Sequence, residues 1–190
     1  FVLRGGHPRL AVESDGLLRF APVGGIDPAA VVGKHVLVGE KGIHGVVGIK
    51  PIHLCEKDEC DTVPKMADLT IDIGAKDAEE ARKAVAVGDY AVFNSPVRTL
   101  GDGFLCGRAL DDRAGCAVLI ELIRSPLPVD CAFAFTVQEE TGCTGGKTAA
   151  YAVEPDIGIA IETTTAGDLP GAESPVCKLG NGPVVSFMDK

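Results

Sequence analysis

The feature that most constrains this chain is the order of apolar patterns in its second half. Cys116, Leu119, Ile120 and Ile123 recur at i, i+3, i+4 and i+7, the spacing of an amphipathic helix over residues 113–123. Residues 130–137 then form a nearly continuous apolar run, as in a strand buried on both faces. Residues 145–153 read as a second helix and residues 157–161 as a second buried strand. Helix, strand, helix, strand predicts an α/β layer with a parallel sheet.

The first half has a different grammar. Short strand signals broken by Gly and Pro occur at residues 17–20, 22–25, 36–38, 45–50, 69–73 and 90–93. Short strands with regular turn signals predict a small sandwich or barrel. One helix is expected over residues 77–85 from its Ala, Glu, Arg and Lys content. Asn94, Ser95, Pro96 and Gly101 cluster where the grammar changes. The expected division is a β-rich domain over residues 1–97 and part of an α/β domain over residues 98–190. Phe1-Val2-Leu3 and Val184-Val185-Ser186-Phe187 are strand-like at the two ends, so the sequence reads as an internal piece of something longer.

Composition narrows the partners. With 46% hydrophobic residues the chain can bury a core, but it has no Trp, so small apolar residues and Gly must carry the packing. A formal charge of -9 opposes phosphate backbones and anionic lipid, which argues against nucleic acid and membrane as partners. No stretch is long and apolar enough to span a bilayer, and no signal peptide is expected. Seven cysteines, an odd number, include no CxxC pair, and Cys55 with Cys60 lacks the second half of a zinc ribbon. Cys116 and Cys131 lie in apolar runs, where a thiol acts as a small hydrophobe. The expectation is reduced thiols and a cytoplasmic protein.

Acidic residues fall at the edges of the α/β elements. Asp111 and Asp112 open the first helix, Glu139 and Glu140 follow the first strand, and Glu162 follows the second. Ligands of open α/β sheets bind beyond the carboxyl ends of the strands. The two glutamates and Glu162 are therefore expected at one rim, with Asp111 in reach. Converging carboxylates repel unless they share protons or hold a cation. Such oxygen ligands, joined by histidine, suit a pair of divalent ions. One of two adjacent glutamates could then act as base on the attacking water while its neighbour holds metal. Each residue also has a plainer reading. Asp111 or Asp112 could simply cap a helix, Glu139 and Glu140 could be solvated loop charges, and Glu162 a lone strand-end carboxylate. Residue pattern alone leaves both readings open. The glycine-rich turn Gly142-Cys143-Thr144-Gly145-Gly146-Lys147-Thr148 is not a phosphate loop. Only three residues separate Gly142 from Gly146 where that loop needs four, and Glu139 and Glu140 would repel a triphosphate.

Taken together the segments resemble one family. Gly107-Arg108-Ala109-Leu110-Asp111-Asp112-Arg113-Ala114-Gly115-Cys116 is similar to the metal-binding segment of the glutamyl, or tetrahedral, aminopeptidases. Thr136-Val137-Gln138-Glu139-Glu140-Thr141-Gly142 resembles their catalytic segment, and residues 162–171 their next ligand segment. Pro22-Val23-Gly24-Gly25-Ile26-Asp27 and Ile71-Asp72-Ile73-Gly74-Ala75 resemble their inserted dimerisation domain. The resemblance implies a metal-dependent aminopeptidase with two divalent ions, zinc or cobalt, roughly 3.5–4 Å apart around a shared water. It implies Asp111 as the bridging ligand, Glu139 as general base, and Glu140 and Glu162 as the remaining carboxylate ligands. Asp112 and Asp168 would support them from behind. The family often has Asp at the position of Glu162, and the longer Glu offers the same carboxylate.

Two histidine ligands that the resemblance implies lie before residue 1 and after Lys190. His7, His35, His44 and His53 match no ligand position and read as surface or interface residues. Without those imidazoles the 190 residues could be inactive on their own. The resemblance also implies peptide substrates and self-association through the β-rich domain, from dimer to dodecamer. Two other functions compete. One is a glycosidase, a label members of this family have carried, for which the chain offers no Trp and two Tyr as sugar platforms. The other is a catalytically incomplete assembly module.

Overall fold

The computed structural model describes residues 2–4, 12–56, 62–171 and 177–186. They belong to two compact units, Phe1–Arg108 and Ala109–Lys190. His7 and Cys60 lie outside the described residues.

The first unit begins with strands β1 (Val2–Arg4), β2 (Leu18–Arg19) and β3 (Ala21–Val23), followed by the one-turn helix α1 (Pro28–Val31). Strands β4 (His35–Val38), β5 (Ile43–Gly48) and β6 (Thr70–Asp72), helix α2 (Ala78–Ala84) and strand β7 (Tyr90–Phe93) follow. All seven strands pair antiparallel in a single sheet of order β2-β6-β5-β4-β7-β1-β3. The expected short strands therefore make one curled sheet, not two packed ones. A separate hairpin joins β8 (Arg98–Leu100) to β9 (Phe104–Cys106).

Period-two alternation explains the sheet. Val36 and Val38 are buried while His35 is exposed, and buried Ile71 is followed by exposed Asp72. The register sets Ile71 opposite both Leu18 and Val47, and all three are buried. Burying each such side chain contributes about 1.5–3 kcal/mol. Gly45 makes this fit possible, because a Cβ there would lie 2.8 Å from Ile71 Cγ2. Val31 of α1 and Ala81 of α2 are fully buried in the same core. Asp77 caps α2 by accepting the Glu80 N–H at 2.9 Å, while Glu80 Oε2 accepts the Lys76 N–H at 3.0 Å. Two complementary contacts at one terminus are the local signature of a helix start.

The second unit contains α3 (Leu110–Arg124) and α4 (Thr144–Val153), close to the helices expected from the apolar spacing. The two buried parallel strands are not there. Residues 130–137 and 157–161 enter no ladder among the described residues. Val137 is 73% exposed, and Ile157 and Ile159 are 81% and 83% exposed. The reason is physical: an apolar run states a need for burial, but a strand also needs neighbours for its N–H and C=O groups. No described strand of this unit supplies them. Among the described residues of this unit no hydrophobic side chain is buried, and Gly115 is its one buried residue. No helix among the described residues is long and apolar enough to cross a membrane.

Candidate metal centre

The start of α3 brings carboxylates together. Asp111 (φ −85°, ψ 110°) and Asp112 (φ −114°, ψ 56°) have non-helical backbone, and the peptide between them is cis. Regular helix starts beyond Asp112, whose Oδ1 accepts the Gly115 N–H at 2.8 Å. That is a helix cap, so the plainer reading is true of Asp112. Gly115 permits it: a Cβ there would lie 2.3 Å from Asp112 Oδ2. Glu162 follows Ile161, and its Oε1 accepts the Thr163 N–H at 2.9 Å.

One carboxylate oxygen each from Asp111, Asp112 and Glu162 lies within 4.8 Å of the others. Asp112 is half-buried, and the other two are exposed. The crowding has an electrostatic consequence at Glu162. The Thr163 N–H lowers its pKa, but desolvation, a side-chain hydrogen bond to Asp111 and the charges of Asp112 and Asp111 raise it more. The net is a rise above 4.5. Three carboxylate groups drawn this close fit a divalent cation, which suits hard oxygen donors and would relieve their repulsion.

The sign of the linkage follows. A carboxyl whose pKa is higher in the fold binds more protons there than when unfolded, so this group's contribution to metal-free stability declines as pH rises above 4.5. A bound cation needs the carboxylate and must expel that proton. Calorimetry in buffers of different ionisation enthalpy should show proton release on divalent-ion binding, growing as pH falls from neutrality toward 4.5. A binding enthalpy that ignores the buffer would show that Glu162 does not take up the ion.

The other candidate residues are placed apart from this cluster. Glu139 and Glu140 are exposed on the turn that leads into α4, and neither belongs to the three-carboxylate group. Asp168 is exposed beside Gly167, whose N–H donates to the Cys177 carbonyl at 2.8 Å, and it too is outside the group. His35, His44 and His53 are exposed in the first unit and do not join it. Asp112 enters the group more directly than its sequence position implied. The usable signal was the Asp-x-x-Gly spacing of Asp112 and Gly115, which marks a capped turn with no room for a side chain.

Comparison with known proteins gives one answer. The family model for the M42 glutamyl aminopeptidases matches residues 10–190. The lysyl aminopeptidase of Pyrococcus furiosus is 32% identical over 181 residues, which cover 92% of this chain and 52% of that protein. The crystal structure of the TET aminopeptidase from Thaumarchaeota archaeon SCGC AB-539-E09 superposes with a TM-score of 0.81 at 35% identity, over 95% of this chain and 53% of that one. The TET1 peptidase of Pyrococcus horikoshii, which can assemble into a tetrahedron or a large octahedral shell, gives a TM-score of 0.68 at 37% identity, over 88% and 53% of the two chains. The chain thus spans about half the length of the relatives it matches.

Proposed function

This chain belongs to the M42 glutamyl aminopeptidase family, and from that premise we propose that it acts in the metal-dependent removal of N-terminal residues from peptides. The observation that carries the reading is the meeting of Asp111, Asp112 and Glu162 within 4.8 Å in a chain of this family. Three carboxylates drawn this close repel one another, and a cation among them would relieve that repulsion.

In this reading Asp111 would help to hold both ions, and Glu162 and Glu140 would each help to hold one. Asp112, already engaged by the Gly115 N–H, and Asp168 support them. Two divalent ions, zinc or cobalt, would acidify the attacking water and polarise the peptide carbonyl. Glu139 takes one proton from that water as its oxygen bonds to the carbonyl carbon. It returns the proton to the departing amine as the C–N bond breaks.

The β-rich residues 1–97 are the self-association domain in this proposal, and residues 98–190 part of the catalytic domain. The reading is supported by exposed Ile52, Leu54 and Val87 in the first unit and by the shells formed by the Pyrococcus horikoshii peptidase. The exposed apolar runs at 130–137 and 157–161 are the segments that would take strand partners in the catalytic sheet. A cytoplasmic location is consistent with the free cysteines among the described residues. A glycosidase is not favoured: the family match names aminopeptidases, and a chain without Trp is poorly equipped to stack sugars.

The test is hydrolysis of a panel of aminoacyl nitroanilides by the intact protein with zinc or cobalt, with and without chelator. Turnover that chelation abolishes and added ion restores is expected. Chelator-insensitive cleavage of a glucan, with no release of nitroaniline, would remove the proposal.

A further inference from the structure

The turn that carries Glu139 is tied down at more points than a solvated loop requires. Gln138, the residue before it, has φ +64°, a left-handed conformation that a residue with a Cβ keeps only when its surroundings hold it. The Thr144 hydroxyl donates to Gln138 Oε1 at 2.7 Å, and the Thr141 hydroxyl donates to the Gln138 carbonyl at 3.2 Å. The amides of Gly142 and Cys143 both donate to the Glu139 carbonyl at 3.0 Å. Next along the chain, Gly145 lies so close to the incoming backbone that a Cβ would sit 2.1 Å from the Val137 carbonyl oxygen. Residues 141–145 thus grip residues 137–139 from one side.

We propose that Thr144, through its hydrogen bond to Gln138, is a positioning residue that holds the left-handed turn and so sets where the Glu139 carboxylate points. The proposal rests on Glu139 being the base, as assigned above. Among the contacts of this turn, the Thr144–Gln138 bond is the one that joins two side chains at ordinary O–H···O length across six residues. The Cys143 thiol also reaches Glu139 Oε1, but at 3.8 Å, a weaker contact. The Thr141 bond lies within a single turn and does not reach α4. Losing the Thr144 bond frees Gln138 to relax toward common backbone angles. Such a rotation displaces everything that follows it, and Glu139 follows immediately. A base misplaced by a fraction of an ångström lowers kcat far more than it lowers substrate binding.

The experiment uses the intact protein with saturating zinc or cobalt and an aminoacyl nitroanilide. Thr144→Val keeps the shape and removes the hydroxyl, whereas Thr144→Ser keeps the hydroxyl. Thr144→Val is expected to lower kcat about tenfold with KM changed by less than about twofold, and Thr144→Ser to stay within about threefold of the parent. Because the effect runs through Glu139, Thr144→Val should cost nothing further in a Glu139→Gln background. Parental kcat in Thr144→Val, equal loss in Thr144→Ser, or a full tenfold loss in the Glu139→Gln background would each overturn the proposal. Should Thr144→Val fail to fold, Gln138→Met removes the same bond from its other end and is held to the same outcomes. Parental kcat in Glu139→Gln alone would instead refute the base assignment, so the two failures are distinguishable.

Discussion

Glu139→Gln in the intact protein is expected to lower kcat for aminoacyl nitroanilide hydrolysis by about 10²–10⁴-fold, the usual contribution of a positioned general base. The amide keeps the size and the hydrogen-bonding reach of the carboxylate but cannot accept and return a proton. Glu139 is assigned as the base and not as a ligand, so the substitution should leave divalent-ion binding intact. KM should change little, because the lost interaction belongs to the transition state. The measurement is steady-state kinetics beside metal titration of the same preparation. A variant that hydrolyses at the parental rate would show that another group moves the proton. A variant that loses its metal would show that Glu139 is a ligand.

Asp111→Asn is expected to act in opposite directions on two readouts. Turnover should fall by more than about 100-fold, beyond the 10–100-fold typical when an outer partner of a metal site is removed. The metal-free protein, by contrast, should unfold at a somewhat higher temperature. Asp111 lies with Asp112 and Glu162 inside 4.8 Å, and the charges of Asp112 and Asp111 help to raise the Glu162 pKa above 4.5. Replacing one anion with a neutral amide relieves that repulsion and returns the Glu162 pKa toward its ordinary value. Thermal unfolding in chelator and kcat/KM in zinc or cobalt check the two signs. Undiminished metal-dependent turnover would exclude Asp111 as the bridging ligand.

Legibility in the sequence followed how local each cause was. The sheet strands could be read because Val36, Val38 and Ile71 alternate with less buried neighbours, and because Gly and Pro bound the runs. Helix α2 is legible in its Ala, Glu, Arg and Lys content, and the structure adds an Asp77 cap. Similar local signals stand at α1, where Asp27 accepts the Ala29 N–H and Pro28 opens the turn, but four residues are too few for a helical apolar period to show. The β8–β9 hairpin has its own turn signals in Gly101 and Gly103, both with positive φ. The parallel strands at 130–137 and 157–161 were read from apolarity, which tells of burial and not of partners. In the site, the expected rim brings Glu162 to Asp111 but not Glu139 or Glu140, and the strand end invoked for Glu162 is not formed. The contact of Thr144 with Gln138 was not readable, because it depends on a backbone angle that Gln does not advertise.

Among the described residues, the buried hydrophobic side chains all lie in the first unit and the clustered carboxylates in the second. Among the described residues of the second unit, then, no buried apolar side chain stands beside the crowded carboxylates. In the proposed reading a cation held there would supply cohesion as well as reactivity, since ion binding is linked to folding. Loss of the ion would then loosen the segments that carry these carboxylates as well as silence them.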